Sequence, residues 1–104
     1  MRILFDQGTP APLRYALSGH TVSTAYEKGW DKLENGALLN AAEASFDAFI
    51  TTDQNLSHQQ ILTGRRLAIL VLPTTSWPKI QAHITKVTTA VDALLPSDFV
   101  ELQF

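Results

Sequence analysis

Short apolar runs alternate with helix-forming segments along the chain. Three of these runs, residues 2–5, 46–52 and 67–72, are typical of strands that are covered on both faces. Residues 20–25 predict another strand, and residues 99–104 predict a last one at an edge of the sheet. Because helical segments separate the strands, the order predicts an α/β fold with a mostly parallel sheet of about five strands flanked by helices.

Capping residues predict where the helices begin. Thr9 is expected to cap the first helix, with Pro10 in its first turn, and Asn35 is expected to cap an alanine-rich second helix. A short helix is predicted over residues 58–62. Ser76 is expected to cap the last helix, whose apolar residues recur at three- and four-residue spacing over more than four turns.

Composition restricts the class of protein. The 104 residues are predicted to form a single domain over 1–104, and the 45% of hydrophobic residues suffice for a core. No apolar run is long enough to span a bilayer, and no signal peptide is visible, so a cytoplasmic location without a membrane partner is the expectation. The absence of cysteine excludes disulfides and thiolate zinc sites.

The charge of the chain argues against a strong, autonomous nucleic-acid binder. The formal net charge is −2, and Arg65-Arg66 is the nearest approach to a basic patch. This balance still allows a small nuclease, because bound metal ions would offset the carboxylates of its site.

Two aspartates occupy the same place in the predicted architecture. Asp6 follows the first apolar run, and Asp53 follows the central one. Ligands of parallel sheets bind beyond the carboxyl ends of the strands, so neighbouring strands would bring both carboxylates into one cleft. A proton or cation must then separate them, and oxygen ligands suit Mg²⁺ or Mn²⁺. Taken singly, each aspartate is also an ordinary turn or capping residue.

Polar residues beside the two aspartates extend the candidate site. Asn55 could hold a metal-bound water or a phosphate in the same cleft, or it could instead cap the following helix. Gln7 and Gln54 each follow an aspartate and would supply further polar contacts or simply face solvent.

Phosphodiester hydrolysis favours a third acid, and four residues are candidates. They are Glu27, Asp31, Glu34 and Glu43. Glu43 is more simply a solvated residue of the alanine-rich helix. Asn35, at the start of that helix, would offer the cleft an oxygen without a charge.

Other chemistries find little support in the chain. The histidines lack the i, i+4 spacing of a helical zinc motif, and there is neither a glycine-rich phosphate loop nor a nucleophile elbow. Trp30, Trp77 and Tyr26 are expected in the core or in subunit contacts, with base stacking by Trp30 as the alternative.

Three short motifs resemble the small PIN-like family that is related to VapC-type toxins. The resemblance covers about the first three quarters of the chain, including Gln59-Gln60 and the strand at 67–72. Its motifs are Ile3-Leu4-Phe5-Asp6, Asn35-Gly36-Ala37-Leu38-Leu39 and Ile50-Thr51-Thr52-Asp53-Gln54-Asn55-Leu56.

The resemblance implies a Mg²⁺- or Mn²⁺-dependent ribonuclease. Asp6 matches the family's first-strand acid, Asp53 matches the acid after the later strand, and Asn55 matches a further polar site residue. Gln7, Asn35 and Glu34 would be accessory residues, although Asn35 stands where the family carries an acid.

The resemblance also implies partners. RNA would be the substrate, a small antitoxin-like protein would be the partner in a toxin–antitoxin module, and a homo-oligomer is expected. The alternative is a catalytically degenerate PIN-like module that only binds.

Overall fold

The structure is a computed structural model that describes residues 1–56 and 64–104. Its strands and helices follow the predicted order. They are β1 (Arg2–Phe5), a 3₁₀ helix (Ala11–Ala16), β2 (Thr21–Thr24), α1 (Asn35–Ser45), β3 (Ala48–Thr51), β4 (Ala68–Val71), α2 (Trp77–Ala82), α3 (Ile84–Asp92) and β5 (Phe99–Glu101). The helix predicted over 58–62, together with Gln59-Gln60, lies outside the described residues.

All five described strands are parallel, and their order across the sheet is β2-β1-β3-β4-β5. This confirms the predicted α/β fold. The chain passes from β1 outward to β2 and then returns to β3 on the other side of β1. The connections that leave β1 and β3 therefore diverge, an arrangement that in open α/β sheets marks the usual place of a ligand site.

Successive side chains of the central strands point to opposite faces of the sheet and so belong to two separate apolar cores. Ile3, Phe5 and Ile50 pack on the side that holds the 3₁₀ helix, α2 and α3. Leu4 and Phe49 pack on the other side, against α1. Because side chains alternate between the two faces, Asp6 and Asp53 continue the α1 side beyond the strand ends.

The first predicted helix differs from the expectation. It is a 3₁₀ helix that begins at Ala11, with Pro10 in the capping position. Thr9 is buried, and its hydroxyl donates to the carbonyl of Ile50 at 3.0 Å. The threonine thus attaches the turn after β1 to strand β3 and is not available as a cap.

The last predicted helix is interrupted at His83. Ser76 caps its first part as expected, because the Ser76 hydroxyl accepts from the amide of Lys79 at 3.4 Å. His83 leaves helical geometry, with φ −118° and ψ 29°, and the ring of Phe104 stacks on it at 4.5 Å. The chain therefore forms α2 and α3 in place of one helix.

No helix within 1–56 or 64–104 is long and apolar enough to cross a membrane.

Candidate functional site

Asp6 is the first residue beyond β1, and hydrogen bonds to its backbone amide and to both carboxylate oxygens fix it. Its amide donates to the carbonyl of Ile50 at 3.0 Å, which extends the pairing of β1 with β3. Its Oδ1 accepts from the amide of Gln7 at 2.8 Å, and its Oδ2 accepts from the hydroxyl of Thr51 at 2.8 Å. The half-buried carboxylate is therefore held at the point where the strand order reverses.

Thr51 links the two aspartates. It is the last residue of β3 and is fully buried. Its hydroxyl donates to Asp6 and accepts from the amide of Asp53 at 3.1 Å. Asp6 and Asp53 therefore follow neighbouring strands, as predicted, and the Thr51 hydroxyl lies between the carboxylate of Asp6 and the backbone amide of Asp53.

Asp53 is oriented by two donors. The side-chain amide of Asn35 donates to its Oδ2 at 3.0 Å, and the backbone amide of Asn55 donates to its Oδ1 at 3.0 Å. Asn35 is the first residue of α1, and the capping position belongs to Glu34, whose side chain makes no capping hydrogen bond. The expected N-cap role of Asn35 is wrong, because its amide is turned to Asp53.

The remaining predicted polar residues occupy less central positions. The backbone amide of Asn55 donates to Asp53, so the Asp53 carboxylate is the acceptor in this turn. The Asn55 side chain is exposed. Gln7 is exposed and lines the cleft next to Asp6. Gln54 contacts no carboxylate; its amide donates to the carbonyls of Thr52 and Leu72 and so ties the turn after β3 to β4.

The third acid expected from sequence is not found in the described part of the chain. Within 1–56 and 64–104, no group of three or more His, Asp or Glu residues is arranged to hold a metal ion. Glu27 pairs with Arg14, and Glu43 lies 4.0 Å from Arg65. Glu34 is exposed and Asp31 is half-buried. The site therefore rests on two carboxylates.

A cleft of about 640 Å³ opens beside Asp6. It is lined by Asp6, Gln7, Thr9, Pro10, Ala11, Thr24 and Tyr26. Tyr26 was expected in the core or a subunit contact; 75% of it is exposed, so it lies outside the core of the chain. Trp30 instead packs edge-on against Phe46, with ring centres 6.1 Å apart, so Tyr26 is the aromatic residue that lines the cleft.

Gly8 allows the two strand-end turns to approach each other. A Cβ at this position would lie 2.5 Å from the hydroxyl oxygen of Thr52, a separation that real Cβ atoms essentially never show. The sequence alone predicted no site role for Gly8 or Thr51, and it assigned Thr9 to a helix cap. The feature of the sequence that could have indicated these residues is the run of small and hydroxyl-bearing residues at the end of each buried strand.

Arg14 and Glu27 support the wall of the cleft at Thr24. The Arg14 guanidinium donates to both carboxylate oxygens of Glu27, at 2.9 and 3.1 Å, and to the carbonyl of Val22 at 2.7 Å. Glu27 also accepts from the amide of Thr24 at 2.9 Å. These hydrogen bonds, the one from Arg14 foremost, lower the pKa of Glu27 to about 2.

The lowered pKa predicts how the Glu27→Gln variant depends on pH. The carboxylate of Glu27 stabilises the fold fully above its ordinary pKa of 4.5, and this contribution is lost as the pH falls towards 2. We expect the variant to be less stable than the parent at pH 7, and we expect this deficit to be largely lost at pH 2, where the carboxyl of the folded protein is about half protonated. Urea unfolding at both pH values measures this, with Glu101→Gln as the exposed control on β5. A stability deficit as large at pH 2 as at pH 7 would show that the ionised pair is not its cause.

The donor set suits a single hard cation. A carboxylate offers about four acceptor positions, and Asp6 and Asp53 each use two of theirs on described donors. Mg²⁺ is commonly held by one or two carboxylates together with water and substrate phosphate. The carboxylates of Asp6 and Asp53 thus each keep acceptor positions of the kind that Mg²⁺, or the chemically similar Mn²⁺, prefers.

Comparison with known proteins finds no matching family model, no matching curated protein and no matching solved structure.

Proposed function

We propose that this protein is a metal-dependent ribonuclease of PIN-like type and the toxin-like partner in a two-protein module. One observation carries the proposal: where the strand order reverses, the Thr51 hydroxyl contacts the carboxylate of Asp6 and the backbone amide of Asp53, and Asp6 lines an open cleft. Ligand sites of open α/β sheets lie at this place. The short motifs that resemble the PIN-like family support the same activity.

Asp6 and Asp53 would hold the Mg²⁺ or Mn²⁺ ion. A bound divalent cation offsets the charge of a phosphodiester and makes water a stronger nucleophile at neutral pH. The chain's own contribution is orientation: Thr51 fixes one oxygen of Asp6, and Asn35 fixes one oxygen of Asp53. Pre-oriented ligands of this kind need no rearrangement during the reaction.

A second candidate function is a non-catalytic binding module. Two observations favour it. Each carboxylate oxygen of Asp6 and Asp53 already accepts a hydrogen bond from the protein, and residues 1–56 and 64–104 place no third acid with them to hold a metal ion. In such a module these hydrogen bonds would be structural. The protein would then act through an antitoxin-like partner or as a homo-oligomeric scaffold in the cytoplasm.

Thermal unfolding and RNA cleavage in the presence of Mn²⁺ distinguish the two candidates. A ligand at ten times its Kd stabilises the native state by about 1.4 kcal/mol, and this raises the Tm of a domain of this size by several degrees. We expect that increase together with cleavage of single-stranded RNA that EDTA stops. NaCl at matched ionic strength is the control. A Tm unchanged by millimolar Mn²⁺, without cleavage, would favour the binding module.

A further inference from the structure

Two cations share an aromatic pair on the α1 side of the sheet. The guanidinium carbon of Arg2 lies 5.5 Å from the ring centre of Phe46. The ammonium of Lys28 lies 5.8 Å from the same centre and 5.7 Å from that of Trp30. Cations within about 6 Å of a ring are attracted by its face, so both side chains are held in place on the protein.

Neither cation is neutralised by a carboxylate of the described chain. The ion pairs there involve Arg14, Arg65 and His20, whereas the charged groups of Arg2 and Lys28 lie against aromatic rings. The Asp47 carboxylate accepts from the backbone amide of Arg2 at 2.8 Å. Two like charges near one ring repel each other. An anionic ligand that contacts both would relieve this repulsion, so the surface is suited to successive negative groups.

The cation pair is continuous with the cleft. The amide of Lys28 donates to the carbonyl of Thr24 at 3.1 Å, and Thr24 and Tyr26 line the cleft beside Asp6. Arg2 and Asp6 lie at opposite ends of β1 on the same side of the sheet, and Leu4 between them is fully buried. A ligand that reaches both must therefore pass over the exposed segment from Tyr26 to Lys28.

We infer that Tyr26, Lys28 and Arg2 form a binding track for single-stranded RNA that begins at the cleft. The inference rests on the proposed function for the identity of the ligand. Tyr26 stacks on one base beside Asp6, and Lys28 and Arg2 bind phosphates farther along the strand. A single strand is required because only unpaired bases present a face to an exposed aromatic ring.

Binding of a labelled 12-nucleotide RNA in EDTA tests the track without any cleavage. Fluorescence anisotropy over a series of NaCl concentrations gives the affinity and its salt dependence. Tyr26→Ala should weaken binding on the order of tenfold, whereas Tyr26→Phe should retain it. The double variant Arg2→Gln/Lys28→Gln should lower the slope of log K against log salt by about 1.4, because each lost phosphate contact removes about 0.7.

The matched control is Lys79→Gln/Lys86→Gln, which removes two exposed cations from α2 and α3 on the opposite side of the sheet. Its slope should equal that of the parent. The track is overturned if the parent protein does not bind the RNA, if the Arg2/Lys28 variant keeps the parental slope, or if both double variants lose the same amount. If the track variants behave as expected but Mn²⁺ supports no cleavage, the ribonuclease proposal fails and the track stands.

Discussion

Asp6→Asn and Asp53→Asn are each expected to abolish Mn²⁺-dependent RNA cleavage while the protein stays folded. Each substitution removes one charge from a site whose contribution is electrostatic, and losses of roughly 10²–10³-fold accompany removal of one such group from an active site. Asparagine keeps the shape of the side chain and can still accept from Thr51 or Asn35. The increase in Tm caused by Mn²⁺ should disappear with the activity.

Cleavage rates and melting curves with and without Mn²⁺ measure both effects. Glu101→Gln is the control, since it removes one negative charge from the exposed edge strand β5, three strands from β1. It should behave as the parent protein does. Cleavage that survives in both aspartate variants would assign the activity to other residues or to a contaminant and would exclude this site.

Asn35→Asp is expected to lower the stability of the metal-free protein and to increase the stabilisation that Mn²⁺ provides. The substitution replaces a donor to Asp53 with a second carboxylate, so the metal-free protein loses a hydrogen bond to a charged group, worth about 2 kcal/mol. With Mn²⁺ present, three carboxylates surround the cation. The Mn²⁺-induced rise in Tm should therefore exceed that of the parent, and any cleavage should become faster.

Asn40→Asp is the matched control for this prediction. Asn40 lies on the same helix, is exposed, and would introduce the same charge away from Asp53. Equal responses of the two variants to Mn²⁺ would show that Asn35 is structural. The search for a third acid would then return to Glu27, Asp31 and Glu34, or the site would operate with two.

The fold could be predicted from the sequence because its inner strands β3 and β4 are buried on both faces. The apolar run at 67–72 has no polar alternation, and in the structure Ala68–Val71 is fully covered in the middle of the parallel sheet. The positions of Asp6 and Asp53 followed from the same pattern. Strand order was not accessible, since the apolar runs do not specify which neighbours pair.

The hydrogen bonds of the site were not accessible, because they connect residues that are distant in sequence. Local rules assigned Thr9 and Asn35 to helix caps, whereas the structure uses Thr9 on Ile50 and Asn35 on Asp53. The same residue types, such as Thr and Asn, serve as helix caps and as contacts to another element, so the sequence does not distinguish the two roles. Thr51 shows the same limit. A threonine in a buried strand is ordinarily read as a β-branched core residue, and only the fold shows that its hydroxyl has two polar partners.

The bond from the Asp6 amide to the Ile50 carbonyl has a consequence for dynamics. It continues the ladder between the two central strands, so the backbone of Asp6 cannot move away from Ile50 unless β1 and β3 separate at that end. Amide hydrogen exchange at Asp6 would then require an opening that also exposes Phe5 and Ile50 to water. The geometry of the site and the cohesion of the core are thus parts of one cooperative unit.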